Sequence, residues 1–360
     1  MSVAGMTVID LDSHLVDEMK QWDSFIEERW KPFLPKPLPT EPDERRHTLV
    51  GKRIMIGSEL TRHFEEKRNW HRPEDLTPEG RVQNIDKEGI DIAALTPSPA
   101  ALDVLWFVDD PQLAAAYCRA ENNYMDHYAS KYPERLKWAG VIPLQDREEA
   151  IKELDRAAKM GMKGVTFKAV PVNGRKWEDP YYDPVYREVQ ALRLPLVVHD
   201  TKTASLGQER YAENFFFSHI VGRVLETMVC CMSFICGGVL ERFPQLKVIF
   251  VEMGAAQAPW WLERMDSHYE KLPYLVPWLK MKPSDYFRRQ VFLGCEPYHD
   301  TLIETTVECL GDGNLVLTSD YPHWDALQPG SQTRAIVESP RLSEKSKRKI
   351  LSENAAAILQ

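Results

Sequence analysis

Eight short apolar runs, near residues 7, 92, 137, 164, 195, 247, 290 and 314, recur along the 360 residues, each followed by a helical stretch. Nothing else in the sequence restricts the possible folds as much. The runs are apolar on both faces, as expected for strands of a parallel sheet covered by helices. The helical stretches carry their own punctuation. Thr77 precedes Pro78 and the stretch stops at Gly89; Asp146 stands three residues before Glu149 and that stretch stops at Gly161. These are an N-cap with proline at the first helical position, a capping box, and glycine C-caps. Further helices are expected over residues 111–131, 182–192, 221–242 and 257–272, with two short ones near Pro340 and Glu353. No Gly-x-Gly-x-x-Gly follows the first strand, so a dinucleotide-binding sheet has no support. Eight strand–helix units predict an α/β chain closed as a (β/α)8 TIM barrel, with residues 1–360 as one domain.

Two stretches break the rhythm, one after the first strand and one after the fifth. Residues 20–75 are rich in proline, arginine and glutamate, and read as irregular. Trp22, Trp30 and Trp70 lie within them, and exposed tryptophan is costly, so a lid over the barrel or an oligomer arm is expected. Residues 200–220 contain Phe215-Phe216-Phe217, three aromatics that cannot all face one core; a lid or contact with another subunit follows, giving a homo-oligomer or a hetero-oligomer with a related subunit. The formal charge of −9 gives nucleic acid no electrostatic footing. The apolar run near Thr227 to Leu240 is too short to span a bilayer and holds Gly237 and Gly238, and no leader is visible, so no membrane partner is expected. Six scattered cysteines without a Cys-x-x-Cys pair fit free thiols in a reducing cytoplasm.

Chemistry gathers where the strands end. The first runs into Asp12-Ser13-His14, the fifth into His199, the sixth into Glu252 and the eighth into Asp320. In such barrels the C-terminal strand ends form one mouth, where active sites lie. Alternation puts Asp12 and His14 on one side of their strand. An isolated Asp-x-His also suits a solvated turn, and Glu252 could instead pair with Arg264. Several buried carboxylates at one mouth nevertheless favour a cation. Asp12, His14, His199, Glu252 and Asp320 are therefore the expected metal ligands, with one or two divalent ions of zinc, manganese or iron. Such an oxygen-rich set suits manganese or iron at least as well as zinc. Asp320, Glu252 and His323 are the expected catalytic groups. His219, His323, Glu296 and Trp260 are candidates for binding a small-molecule substrate or a second ion. Arg264 and Asp266 read as a structural pair.

The sequence resembles the amidohydrolase superfamily, on the branch that includes aminocarboxymuconate-semialdehyde and γ-resorcylate decarboxylases. The likeness rests on Ile9-Asp10-Leu11-Asp12-Ser13-His14, the run from Arg81 to Asp91, Leu196-Val197-Val198-His199, the run from Gly238 to Lys247, and Ser319-Asp320-Tyr321-Pro322-His323. It implies that the family's first ligand pair falls on Asp12 and His14, its third ligand on His199, and its acidic last ligand on Asp320, which also moves a proton. The sequence departs from the family where Glu252-Met253-Gly254 replaces a His-x-Gly pattern. The resemblance implies metal-dependent hydrolysis or non-oxidative decarboxylation of a small amide, lactone or carboxylic acid. A less typical branch that the chain also resembles includes subunits of a 2-aminoisobutyrate hydroxylase, so the alternative is an oxygenase with a dinuclear iron or manganese–iron centre.

Overall fold

The computed structural model describes residues 5–16, 18–60, 62, 73–199, 208–211, 214–296, 302–323 and 330–359. The eight apolar runs form β1 (Ile9–His14), then, after three strands of the first insert, β5 (Ile92–Thr96), β6 (Leu136–Gly140), β7 (Gly164–Lys168), β8 (Leu196–His199), β9 (Val248–Phe250), β10 (Val291–Cys295) and β11 (Leu315–Leu317). They pair in chain order, and every recorded pair is parallel. A Ser13–Tyr321 bridge joins the last strand to the first. The (β/α)8 barrel expected from the sequence is thus present. Its seam is closed less by a ladder than by one carboxylate. Asp10 accepts from Ser319 N at 2.8 Å, Ser319 Oγ at 2.6 Å and Asp12 N at 3.1 Å.

The barrel interior has its own small core. Ile9, Leu11, Ala94, Ala139, Val197, Ile249, Val251 and Val316 pack together, closed off by Ala355 and Ile358 of the last helix, Asn354–Ile358. The larger core lies outside, between strands and helices, and takes Val165, Phe167, Val198 and Phe250. Residues two apart on a strand therefore both face the interior, in successive layers, and the uppermost layer is the mouth. Helix boundaries follow the sequence cues. The helix Pro78–Glu88 is capped by the Thr77 side chain and ends at Gly89 with φ 74°, and Arg147–Met160 is capped by Asp146 and ends at Gly161.

Several expectations need correction. Residues 20–75 are not irregular throughout, because they hold an antiparallel sheet of β2 (Lys36–Leu38), β3 (Arg45–Val50) and β4 (Arg53–Leu60). Gly51 and Lys52 make its tight turn, with Gly51 at φ 58°. Trp22 is fully buried against Tyr117, whereas Trp70 lies outside the described residues, as do 200–207. The helix expected over residues 221–242 starts earlier, at Phe215 with Asn214 as cap, and breaks at Gly237, giving Phe215–Cys236 and Val239–Arg242. At 22 residues the first of these is long and apolar enough, by length and composition, to cross a membrane; its Cys230, Cys231, Phe234 and Ile235 belong to the outer core. Helices Pro283–Gln290 and Ser331–Glu338 were not expected. Arg264 and Asp266 do not pair with each other. Asp266 accepts from Ser284 N at 2.9 Å and Oγ at 2.6 Å, fastening the two helices that carry them.

Candidate metal centre

Plain alternation along β1 would turn Asp12 and His14 away from the side of Ile9 and Leu11. A bulge prevents that. Between Asp10 and Ser13, β1 advances three residues while β5 advances two, from Ala93 to Leu95. The extra residue changes the parity, so His14 pairs with Thr96, two residues beyond the interior Ala94. Leu11 and Asp12 both face inward across the bulge, and His14 follows at the mouth. On β8, alternation alone suffices, since Val197 is interior and His199 stands one layer above it. Glu252 and Asp320 arrive differently. Both have left-handed backbones, with φ 55° and 53°. Neither is glycine, so each conformation costs about 1–3 kcal/mol, a cost found where side-chain placement matters.

These side chains meet. His14 Nε2 lies 3.6 Å from Asp12 Oδ1, 3.9 Å from Glu252 Oε1, 3.2 Å from Asp320 Oδ1 and 3.0 Å from His199 Nε2. His199 is 3.8 Å from Asp12 and 3.7 Å from Glu252. His323 Nδ1 contacts Asp320 Oδ1, stands 3.9 Å from Glu252 Oε1, and stacks on His14 with ring centroids 4.3 Å apart. Two quartets result, Asp12–His14–His199–Glu252 and His14–Glu252–Asp320–His323, each with its ligand atoms within 4.8 Å of one another. All six residues are buried. Three carboxylates at such spacing repel strongly, and burial adds to the cost of their charge. Burial first, with Glu252 and Asp320 beside it, pushes Asp12 up to about 6 despite His14 and His199. Burial pulls His14 toward neutrality, but Asp12, Asp320 and Glu252 more than offset it and raise it well above the ordinary value.

The donor set fits a divalent cation. Asp12 Oδ2 is buried with no hydrogen-bond partner among the described residues. His14 Nδ1 lies 2.8 Å from the Pro97 carbonyl, a contact that fixes its tautomer and turns Nε2 into the cluster. Thr96 Oγ1 donates to Asp12 Oδ1 at 3.1 Å and steadies that carboxylate. Arg81 supports the same strand end from behind. Its guanidinium donates to Ser13 Oγ at 3.0 Å and to the His14 carbonyl, lies over the Tyr321 ring, and pairs with Asp75, which also accepts from Tyr321 Oη at 2.7 Å.

The structure brings Asp12, His14, His199, Glu252, Asp320 and His323 together and leaves the weaker candidates out of both quartets. Glu296 is buried just beyond β10. His219 lies on the helix Phe215–Cys236 beside the Phe215 ring, and Trp260 is 58% exposed on the helix Ala258–Lys271. Its indole lies against the Trp261 ring. Arg264 makes no ion pair with Glu252 among the described residues. Sequence reasoning missed Asp10, Arg81 and Lys168. For Lys168 a signal was available: a lysine ends an otherwise apolar strand, where a buried ammonium is unusual.

The family model described as amidohydrolase matches residues 9–360. A 2-amino-3-carboxymuconate-6-semialdehyde decarboxylase of Dictyostelium discoideum is 26% identical over 285 residues, covering 78% of this chain and 76% of its own length. Among solved structures, an amidohydrolase of Mycobacterium avium subsp. paratuberculosis K-10 superposes with TM-score 0.81 at 20% identity, covering 99% of this chain and 100% of the other. A dihydroxybenzoic acid decarboxylase of Polaromonas sp. JS666, with bound manganese and the inhibitor 2-nitroresorcinol, gives TM-score 0.69 at 20% identity and covers 98% and 97% of the two chains.

Proposed function

Because the chain belongs to the amidohydrolase family, we propose that it is a divalent-metal-dependent enzyme that removes a carboxyl group from a small carboxylic acid without oxidation. The observation that carries this reading is the buried set of three carboxylates and three imidazoles at one end of the barrel. The reaction class rests on relatives that are decarboxylases. In this reading Asp12, His14, His199, Glu252 and Asp320 hold the metal. Bound there, a divalent ion supplies Lewis-acid polarisation of substrate oxygens. Manganese suits the oxygen-rich set, and the Polaromonas decarboxylase binds it. The two quartets share His14 and Glu252, which supports a second reading of the stoichiometry, two ions per chain.

The remaining work falls to the chain's own groups. His323 Nδ1 faces Asp320 Oδ1, so the pair is placed to hold a proton at the mouth. When the carbon–carbon bond breaks, its electron pair stays on the substrate carbon and carbon dioxide leaves. That carbon takes the proton from the Asp320–His323 pair, which regains one from solvent after product release. Glu252, ionised, donates no proton and contributes negative charge that tightens the grip on a cation. The hydrolytic alternative has the name of the family and of the Mycobacterium amidohydrolase in its favour, whereas the relatives named for a specific reaction are decarboxylases. The dioxygen-activating alternative finds no support among these relatives and is set aside.

The test is product analysis with manganese-reconstituted protein and a panel of hydroxybenzoates and unsaturated carboxylic acids. The reading expects carbon dioxide and decarboxylated product in equal amounts, no oxygen uptake, and loss of turnover on chelation. Hydrolysis products, or oxygen consumed in step with product, would contradict it.

A further inference from the structure

One charged side chain at the mouth takes no part in the chemistry above. Lys168 ends β7 and is the register partner of His199 on β8. Thr166, two residues earlier, pairs with the interior Val197, so Lys168 points into the barrel on the layer of His199. Parallel neighbours lie about 4.8 Å apart, which puts the lysine stem directly beside that imidazole. The side chain is 1% exposed and its ammonium meets Asp103 Oδ1. Asp103 sits on the helix Pro99–Phe107 and keeps 16% of its side chain accessible, so the pair is not sealed in. The Phe107 ring lies 5.8 Å from the ammonium. The segment leading into that helix also carries the Pro97 carbonyl that holds His14, so one βα connection touches both groups.

A purely structural role accounts poorly for this lysine. A buried ion pair rarely stabilises more than apolar side chains of similar volume would. The three carboxylates carry −3, leaving −1 with one divalent ion and +1 with two. A substrate with a second acidic group beside the carboxyl it loses needs another cation in the mouth. Lys168 has three donors, and Asp103 accounts for one bond. We propose that Lys168 is a substrate-binding residue whose ammonium takes a second anionic group of the substrate, with Asp103 holding it in place, so that the mouth favours small diacids over monoacids. This rests on the reading of the mouth as the reaction site.

Binding without turnover tests it. Manganese-loaded full-length protein is titrated calorimetrically with isophthalate, which has two carboxylates, and with benzoate, which has one. A charge-assisted bond to the second carboxylate should favour isophthalate by about ten- to hundredfold in the wild type. Lys168→Met should erase that gap while leaving benzoate affinity and manganese content unchanged, and Lys168→Arg should restore part of it. Lys168→Gln, closer in shape and still polar, should behave as the methionine variant does and serves if that one does not fold. The proposal is overturned if the wild type shows no gap, if an uncharged variant keeps it, or if benzoate binding falls by the same factor. None of these results depends on carbon dioxide release, so failure here is distinct from failure of the proposed reaction.

Discussion

The two ends of the barrel are built on the same strands and obey opposite rules. At the closed end Ile9, Ala94, Val197, Ile249 and Val316 pack as an apolar plug under Ala355 and Ile358. One layer along β8 and just past the ends of the other strands stand His199, Glu252 and Asp320, all buried and all ionisable. The closed end follows alternation and uses ordinary backbone. The open end relies on a bulge in β1 and on left-handed backbone at Glu252 and Asp320. Apolar burial stabilises the first, whereas the second is destabilised by its own charges until a cation neutralises them. Stability and chemistry are therefore separable by about two residues along a strand.

Substitutions at the two ends should separate accordingly. The largest effect is expected at the mouth: Asp320→Asn should lower kcat by on the order of a thousandfold, while the metal-free protein keeps or gains stability because one repelling carboxylate is gone. Steady-state rates and thermal melts check both halves. The mirror experiment is Ile249→Ala, which should cost about 2–5 kcal/mol in denaturant unfolding yet leave manganese per folded chain unchanged. Equal loss of metal in that variant would break the comparison.

Acidity should sharpen it. Burial foremost, partly offset by hydrogen bonds from Ser319, puts Asp10 at about 7, and Asp12 lies at about 6, both above the ordinary carboxyl value of 3.8. His14 is raised well above 6.5. Each group binds its proton more tightly folded than unfolded, so its contribution is fully present at low pH and is lost as pH rises through the folded value. A tenfold change in proton affinity is worth about 1.4 kcal/mol. Chelator-stripped protein should therefore lose a few kcal/mol from about pH 4 to about pH 7, with His14 adding to the loss above that. Manganese binding needs the deprotonated ligands, so the melting-temperature gain on adding manganese should grow over the same range. Parallel melts with and without the ion read both slopes, and matching slopes would refute the account. The smallest effect concerns stoichiometry. Glu252→Gln should halve the bound manganese if two ions share that carboxylate, and should only weaken binding if there is one; elemental analysis of the dialysed variant decides.

Much of this was legible in the sequence because it depends on local rules. Eight apolar runs and the Thr77 and Asp146 caps follow from periodicity and capping chemistry, and the acidic and imidazole residues at or just past the ends of β1, β8, β9 and β11 follow from where those runs stop. What escaped depends on relations between distant segments. The bulge at Leu11 and Asp12 leaves no mark in β1 itself, only in its register with β5. Asp10 looks like one more strand residue until Ser319 is brought against it. The sheet from Lys36 to Leu60 was missed although Gly51-Lys52 between two alternating runs was a readable hairpin signal. Trp260 was weighed as a pocket wall because of its residue type, and its 58% exposure on the helix Ala258–Lys271 could not be read from the sequence.

The most direct test removes one ligand that reaches the cluster without special backbone. Equilibrium dialysis of chelator-stripped protein against manganese, comparing wild type with His199→Ala, measures whether residues far apart in sequence act as one cation site. The account predicts one or two ions retained by the wild type and affinity at least about a hundredfold lower in His199→Ala, with the melting of the metal-free forms nearly the same. A wild type that retains no divalent ion, or a variant that binds it as well, would contradict it.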